Sequence, residues 1–126
     1  MTALLFVYPG CSTCRNAQRW LDARGVAYEA RDIAREPPNR ELLRTILRRS
    51  GVPLRRLFNT SGQLYRAGNY AERLATMDED TALAELASHG MLIRRPLLVQ
   101  SEAALVGFDA AAYARAFAPA SVPGAD

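Results

Sequence analysis

The chain contains no lysine, since all 16 of its Lys/Arg positions are arginine. Its positive charge is therefore fixed at neutral pH and carried on planar forks that suit an oxyanion. A genome-wide codon bias accounts for the missing lysine, so no function is read from the count itself. Cysteine, histidine and tryptophan are also scarce, with two, one and one copies. Cys11 and Cys14 are too few for a four-ligand zinc site, and His89 stands alone far along the chain. Long apolar stretches are missing too. Ala3 to Tyr8 is far shorter than a membrane span, has no basic flank and runs into Pro9-Gly10. With no export signal, the expectation is a cytoplasmic protein that engages no membrane. Structural disulfides are rare in that compartment, so both cysteines need a chemical explanation. The net charge of +3 suits a small anionic substrate but is far from the basic stripe of a DNA binder.

What is present is enough for one core. A chain of 126 residues, 49% hydrophobic and 23% charged, reads as a single globular domain over 1–117, with a small polar tail at 118–126 expected to be frayed. The unbroken apolar run Ala3–Tyr8 predicts a central strand buried on both faces. From Ser12 the pattern turns helical, with Ala17, Trp20 and Leu21 on one face and Gly25 as a stop. Val26 to Arg31 alternates loosely like a second strand. Asn39 can cap a helix carrying Leu42, Leu43, Ile46 and Leu47 that ends at Ser50-Gly51. Pro53 to Phe58 reads as a short helix before the polar turn Asn59-Thr60-Ser61-Gly62. Tyr70 to Ala87 reads as two helical pieces split near Met77-Asp78. Leu97–Val99 and Ala104–Val106 form a hairpin around Ser101-Glu102, and Asp109 caps a last helix with Ala112, Tyr113, Ala116 and Phe117 on one face. The order is β-α-β, a helical insert, then β-β-α.

The chemistry concentrates where the first strand gives way to the first helix. An ordinary thiol is only a few per cent ionised at neutral pH, yet the thiolate is the reactive form. A helix N-terminus favours an anion through its unpaired N–H groups and partial positive charge. Cys11 occupies that place, Arg15 stands one turn further on, and Cys14 falls three residues along on the same helical face. One sulfur can then resolve what the other has bonded. Two small buried hydrophobes would be the bland account, but Ser12, Thr13, Arg15 and Asn16 make the turn polar. Whether Cys14 resolves, or an external thiol does, stays open at this point.

With these residues in view, the chain resembles the arsenate reductase (ArsC) family, in the branch shared with Spx- and MgsR-type proteins. The resemblance runs from about Leu4 to Phe117. It rests on Tyr8-Pro9-Gly10-Cys11-Ser12-Thr13-Cys14-Arg15-Asn16, on Glu36-Pro37-Pro38, and on Leu54-Arg55-Arg56-Leu57-Phe58-Asn59-Thr60-Ser61-Gly62. It continues through Gly90-Met91-Leu92-Ile93-Arg94-Arg95-Pro96 and Val106-Gly107-Phe108-Asp109. It implies an α/β, thioredoxin-like fold, with a four-stranded mixed sheet, flanking helices and a helical insert, and a cis peptide before Pro96 at the site. By the same resemblance Cys11 is the nucleophile and Arg55 and Arg95 are anion-binding arginines; Ser12, Thr13 and Arg15, at the helix start, are expected to bind the oxyanion with them. No bound cofactor or metal is implied; the electrons come from an external thiol, either glutathione with glutaredoxin, or thioredoxin. One element of the pattern is missing. A third arginine follows the Arg-Pro strand in such reductases, whereas no arginine stands between Pro96 and Arg115 here. Losing one such donor typically costs about 2.7–4 kcal/mol of transition-state stabilisation.

Three functions follow as expectations. The first is a thiol-dependent reductase of arsenate or a related oxyanion, serving arsenic detoxification as a monomer without DNA contact. The second is a redox-switched regulator of the Spx kind that contacts RNA polymerase. The third is a general dithiol or glutathione-linked reductase, since thioredoxin-like folds host many thiol functions. Arg94 is read as solvated, on the opposite side of an extended segment from Arg95. Arg56 follows Arg55 too closely on a helix to share its face. His89 is read as a helix C-terminal residue and Trp20 as core.

Overall fold

The computed structural model describes residues 2–117, and the tail expected to be frayed, 118–126, lies outside the described residues. The first strand, β1 (Ala3–Val7), is central, as its apolar run requires. It pairs in parallel with β2 (Tyr28–Asp32) and antiparallel with β3 (Leu97–Val99), which pairs antiparallel with β4 (Ala104–Val106). The resulting mixed sheet has the order β2-β1-β3-β4. Strand β2 starts later than the expected Val26 because its register matches Ala3 with Tyr28 and Val7 with Asp32. Gly25 and Val26 instead close the preceding helix, donating to Asp22 and Leu21 carbonyls at 3.1 and 3.0 Å.

Successive residues of β1 serve opposite faces of the sheet. Ala3 and Leu5 pack with Leu98 against α1 (Ser12–Ala23) and α6 (Ala110–Ala116), whose contributions are Ala17, Leu21 and Tyr113. Phe6 and Leu97 belong to the larger cluster under the helical insert. That insert contains α2 (Arg40–Ser50), a 3₁₀ turn at Leu54–Leu57, α3 (Gln63–Ala67), α4 (Tyr70–Arg73) and α5 (Glu79–Ser88). Fully burying each Leu, Ile or Phe of these clusters contributes about 1.5–3 kcal/mol.

Local signals end most elements where the sequence indicates. The Asn39 side chain accepts from Leu42 N–H at 2.8 Å, and Gly51, at φ +72°, donates to the Leu47 carbonyl at 3.1 Å. Asp109 accepts from Ala112 N–H at 3.1 Å to start α6. His89 ends α5 through its backbone N–H while its side chain stays exposed. Gly90 is glycine for a steric reason, because a Cβ there would lie 1.9 Å from the Ile33 carbonyl oxygen. Helix α3 has no counterpart in the sequence reading. Its five residues are too few to show a period, and it forms because Tyr65 buries its ring against Phe58 and Tyr70. Trp20 is half-buried rather than core. It packs edge-on to Tyr113, with centroids 5.6 Å apart, while the Arg24 guanidinium covers its outer face at 4.0 Å.

Candidate active site at the start of α1

Tyr8, Pro9 and Gly10 leave the C-terminal end of β1, and Gly10 takes φ +85°. That backbone turn delivers Cys11 as the N-cap of α1 in an extended conformation. Its Sγ accepts the Cys14 backbone N–H at 3.2 Å, the bond a capping oxygen would otherwise accept. Cys11 is half-buried and Cys14 fully so, and both sulfurs are free thiols. Helix geometry puts them together: Cys14 is on the inner face of α1 with Ala17 and Leu21, one turn above the cap. Burial, then the hydrogen bond with Cys11, pushes the Cys14 thiol up to about 12, and the nearby Arg95 charge opposes this only weakly. Cys14 is thus a neutral thiol at physiological pH. Tyr113 of α6, likewise pushed up by burial, closes this side of the pair.

The second wall of the site is the segment Ile93–Pro96. Arg95–Pro96 is cis, as the family resemblance implies. Arg95 is anchored by Nη1, which donates to the Met91 and Ile93 carbonyls at 3.3 and 3.2 Å. Its guanidinium lies 5.2 Å from the Tyr8 ring centroid. The structure therefore brings Cys11, Cys14, Tyr8 and Arg95 into one neighbourhood. Tyr8 opens the cysteine motif in the sequence, but nothing local there shows that its ring meets Arg95.

The other expected site residues are more dispersed. Ser12 and Thr13 are exposed in the first turn of α1. Arg15 is exposed as well and lines a hollow of about 310 Å³ with Tyr8, Gly10, Gln18 and Asp32 on the β2 side. Arg55, exposed on the 3₁₀ turn, lines a different hollow with Arg56, Thr60 and Arg94. Arg94 does point away from Arg95, but it is not simply solvated. It is half-buried, with Nε donating to the Arg56 carbonyl at 2.8 Å and Nη2 to Thr60 Oγ1 at 3.3 Å. The antiparallel bridge between Phe58 and Ile93 draws Arg94 over the 3₁₀ turn, an arrangement no local pattern shows. Against the expectation that the two adjacent arginines face apart, Arg56 lines this hollow together with Arg55. Among the described residues, no helix is long and apolar enough to cross a membrane.

Among known proteins, the model of the ArsC family matches residues 6–116. Uncharacterized protein YusI of Bacillus subtilis (strain 168) is 44% identical over 108 residues, covering 86% of this chain and 92% of YusI. The regulatory protein MgsR of the same strain is 30% identical over 104 residues, covering 82% of this chain and 81% of MgsR. The crystal structure of a possible arsenate reductase from Streptococcus mutans UA159 aligns with a TM-score of 0.80 at 44% identity, covering 85% of this chain and 91% of the other. The fold is thioredoxin-like, with the four-stranded mixed sheet and flanking helices described above.

Proposed function

The chain belongs to the ArsC family, and from that membership we propose that it is a thiol-dependent oxidoreductase that reduces arsenate or a related oxyanion through Cys11. The observation that carries this reading is the Cys11 sulfur capping α1, with the Cys14 N–H directed at it from 3.2 Å. A thiolate and an oxyanion repel, so the reaction needs fixed positive charge and free N–H groups around the sulfur. The first turn of α1 at Ser12 and Thr13 supplies the N–H groups, and Arg15 and Arg95 supply the guanidiniums, whereas Arg55 faces the hollow over the 3₁₀ turn.

In the first step the Cys11 thiolate attacks As(V), an arsenate hydroxyl takes up a proton from solvent and leaves as water, and an S–As bond forms. A second thiol then passes its proton to an arsenic-bound oxygen and attacks the Cys11 sulfur. The S–As bond breaks with its electron pair going to arsenic, arsenite departs as As(III), and the two sulfurs remain as a disulfide. In this reading Cys14, one turn along α1, is that second thiol, and its burial keeps it protonated in the resting site. Glutathione with glutaredoxin, or thioredoxin, returns the disulfide to thiols. Incubation with arsenate, NADPH and each of these donor systems tests the reading. NADPH consumption above that of a Cys11→Ser control is expected, and its absence with every donor removes the arsenate assignment.

A second reading is favoured by the likeness to MgsR, whose name describes a regulatory protein. In that reading a Cys11–Cys14 disulfide switches contact with RNA polymerase. Polymerase pulled down equally by the oxidised and reduced protein argues against it. A general thiol reductase is distinguished by turnover of a small mixed disulfide in the absence of oxyanion. In each reading the protein is one cytoplasmic domain, and no bound cofactor is needed.

A further inference from the structure

The hollow over the 3₁₀ turn is separate from the sulfur site. Arg94 and Arg95 are neighbours on an extended segment, and their side chains leave it on opposite sides, Arg95 toward Tyr8 and Arg94 toward the hollow. The cavity measures about 560 Å³ and is lined by Arg55, Arg56, Arg94 and Thr60, with Leu54 and Leu74 among its apolar walls. Such a volume is in the range of small-molecule sites and is several times what a bare inorganic oxyanion fills.

The charge arrangement is unusual for a surface depression. Three guanidiniums meet there, and none has a carboxylate within ion-pair distance among the described residues. Arg94 is also partly removed from water, and burial, followed by the adjacent Arg56 charge, weakens its hold on its proton. A cation held half-buried beside a like charge, with no counter-charge, costs free energy that a bound anion would recover. The donors are prepared for one. Arg94 is fixed by the Arg56 carbonyl and Thr60 Oγ1, which uses only two of its five N–H groups. Thr60 accepts from Arg94, and its own O–H is uncommitted among the described residues. Arg56 makes no side-chain hydrogen bond or ion pair among them either.

We infer that this hollow is a second binding site, distinct from the Cys11 site, for a small organic anion. Its carboxylate or phosphate head is held by Arg56, Arg94 and Thr60 and its apolar body lies on Leu54 and Leu74. Calorimetric titration with phenyl phosphate, inorganic phosphate and benzoate tests this on the intact chain, with backbone and arginine Nε–H NMR shifts locating each ligand. Phenyl phosphate or benzoate is expected to bind, to shift Thr60 and Arg94, and to bind a Cys11→Ser variant equally well. Arg94→Gln should weaken that binding by about tenfold, the value of one charge-assisted hydrogen bond. Because Arg94 also ties the 3₁₀ turn to its neighbour, Arg56→Gln, which removes no internal bond, should weaken it as well. The inference is overturned if neither organic anion binds, or if both variants bind them as the native chain does. Shifts confined to Cys11 and Arg95, or inorganic phosphate binding as tightly as phenyl phosphate, overturn it too.

Discussion

Arginine is used in two ways on this molecule, and the contrast lies between the α2–α5 flank and the wall that carries Arg55, Arg56, Arg94 and Arg95. On the flank Arg44 pairs with Glu79 and Asp80, Arg48 with Glu79 at 3.3 Å, and Arg40 with Asp80 at 3.6 Å. On the wall no arginine has an acidic partner among the described residues. The side chain is the same on both, so the acids mark the difference. Glu79 and Asp80 sit in the first turn of α5, where they also complement its N-terminal dipole. Beside Tyr8 and over the 3₁₀ turn that neutralisation is missing among the described residues.

The largest test of this contrast is on the wall. Arg95→Gln should lower turnover by about 10²–10³, the cost of removing one preorganised donor to a developing oxyanion. Because Arg95 also binds the Met91 and Ile93 carbonyls, Arg95→Lys serves as a partner variant. It keeps the charge and should recover part of the rate, whereas a purely structural role would leave both variants equally slow. On the flank the large effect should come from packing instead. Leu86→Ala, beneath α5 in the core shared with Leu43 and Ile46, should cost about 2–5 kcal/mol in denaturant unfolding with little change in turnover of the folded fraction.

A third expectation concerns pH. Burial holds the Cys14 proton up to about 12, whereas the unfolded chain releases it near 9. Between those values the unfolded state binds fewer protons, so stability is full below pH 9 and falls as pH rises toward 12. Cys14→Ser should flatten the first part of that fall. The remainder comes from Tyr28, Tyr70 and Tyr113, whose phenols are shifted in the same direction. Equal pH slopes for the two proteins would contradict the burial of Cys14. The smallest effect should belong to the flank's exposed pairs. A Glu79→Gln, Asp80→Asn double variant should lose at most about 1 kcal/mol, less in high salt, and keep its turnover.

Most of the architecture is legible in the sequence because its signals are local. The run Ala3–Val7, the caps at Asn39 and Asp109 and the hairpin around Ser101-Glu102 each carry their own chemistry, and all stand where expected. The position of Cys11 is local as well, a strand ending at Pro9-Gly10 and a helix starting at Ser12. What escapes is whatever depends on a distant partner. Helix α3 needs Phe58 and Tyr70 to bury Tyr65, and the start of β2 needs the register of β1. Arg94 becomes half-buried only because Ile93 bridges to Phe58, and adjacent arginines in a sequence do not reveal which will lose its water.

The chemistry assigned to the chain requires that one of two neighbouring sulfurs be activated and the other be silent. Timed alkylation with iodoacetamide at pH 7, quantified at each cysteine by mass spectrometry, reads this directly. Cys11 should react about tenfold faster in the folded protein than in urea, as a capping thiolate at a helix N-terminus would, while Cys14 should be protected until unfolding. A Cys11 rate that is the same folded and unfolded, or a Cys14 that is modified first, would contradict the account.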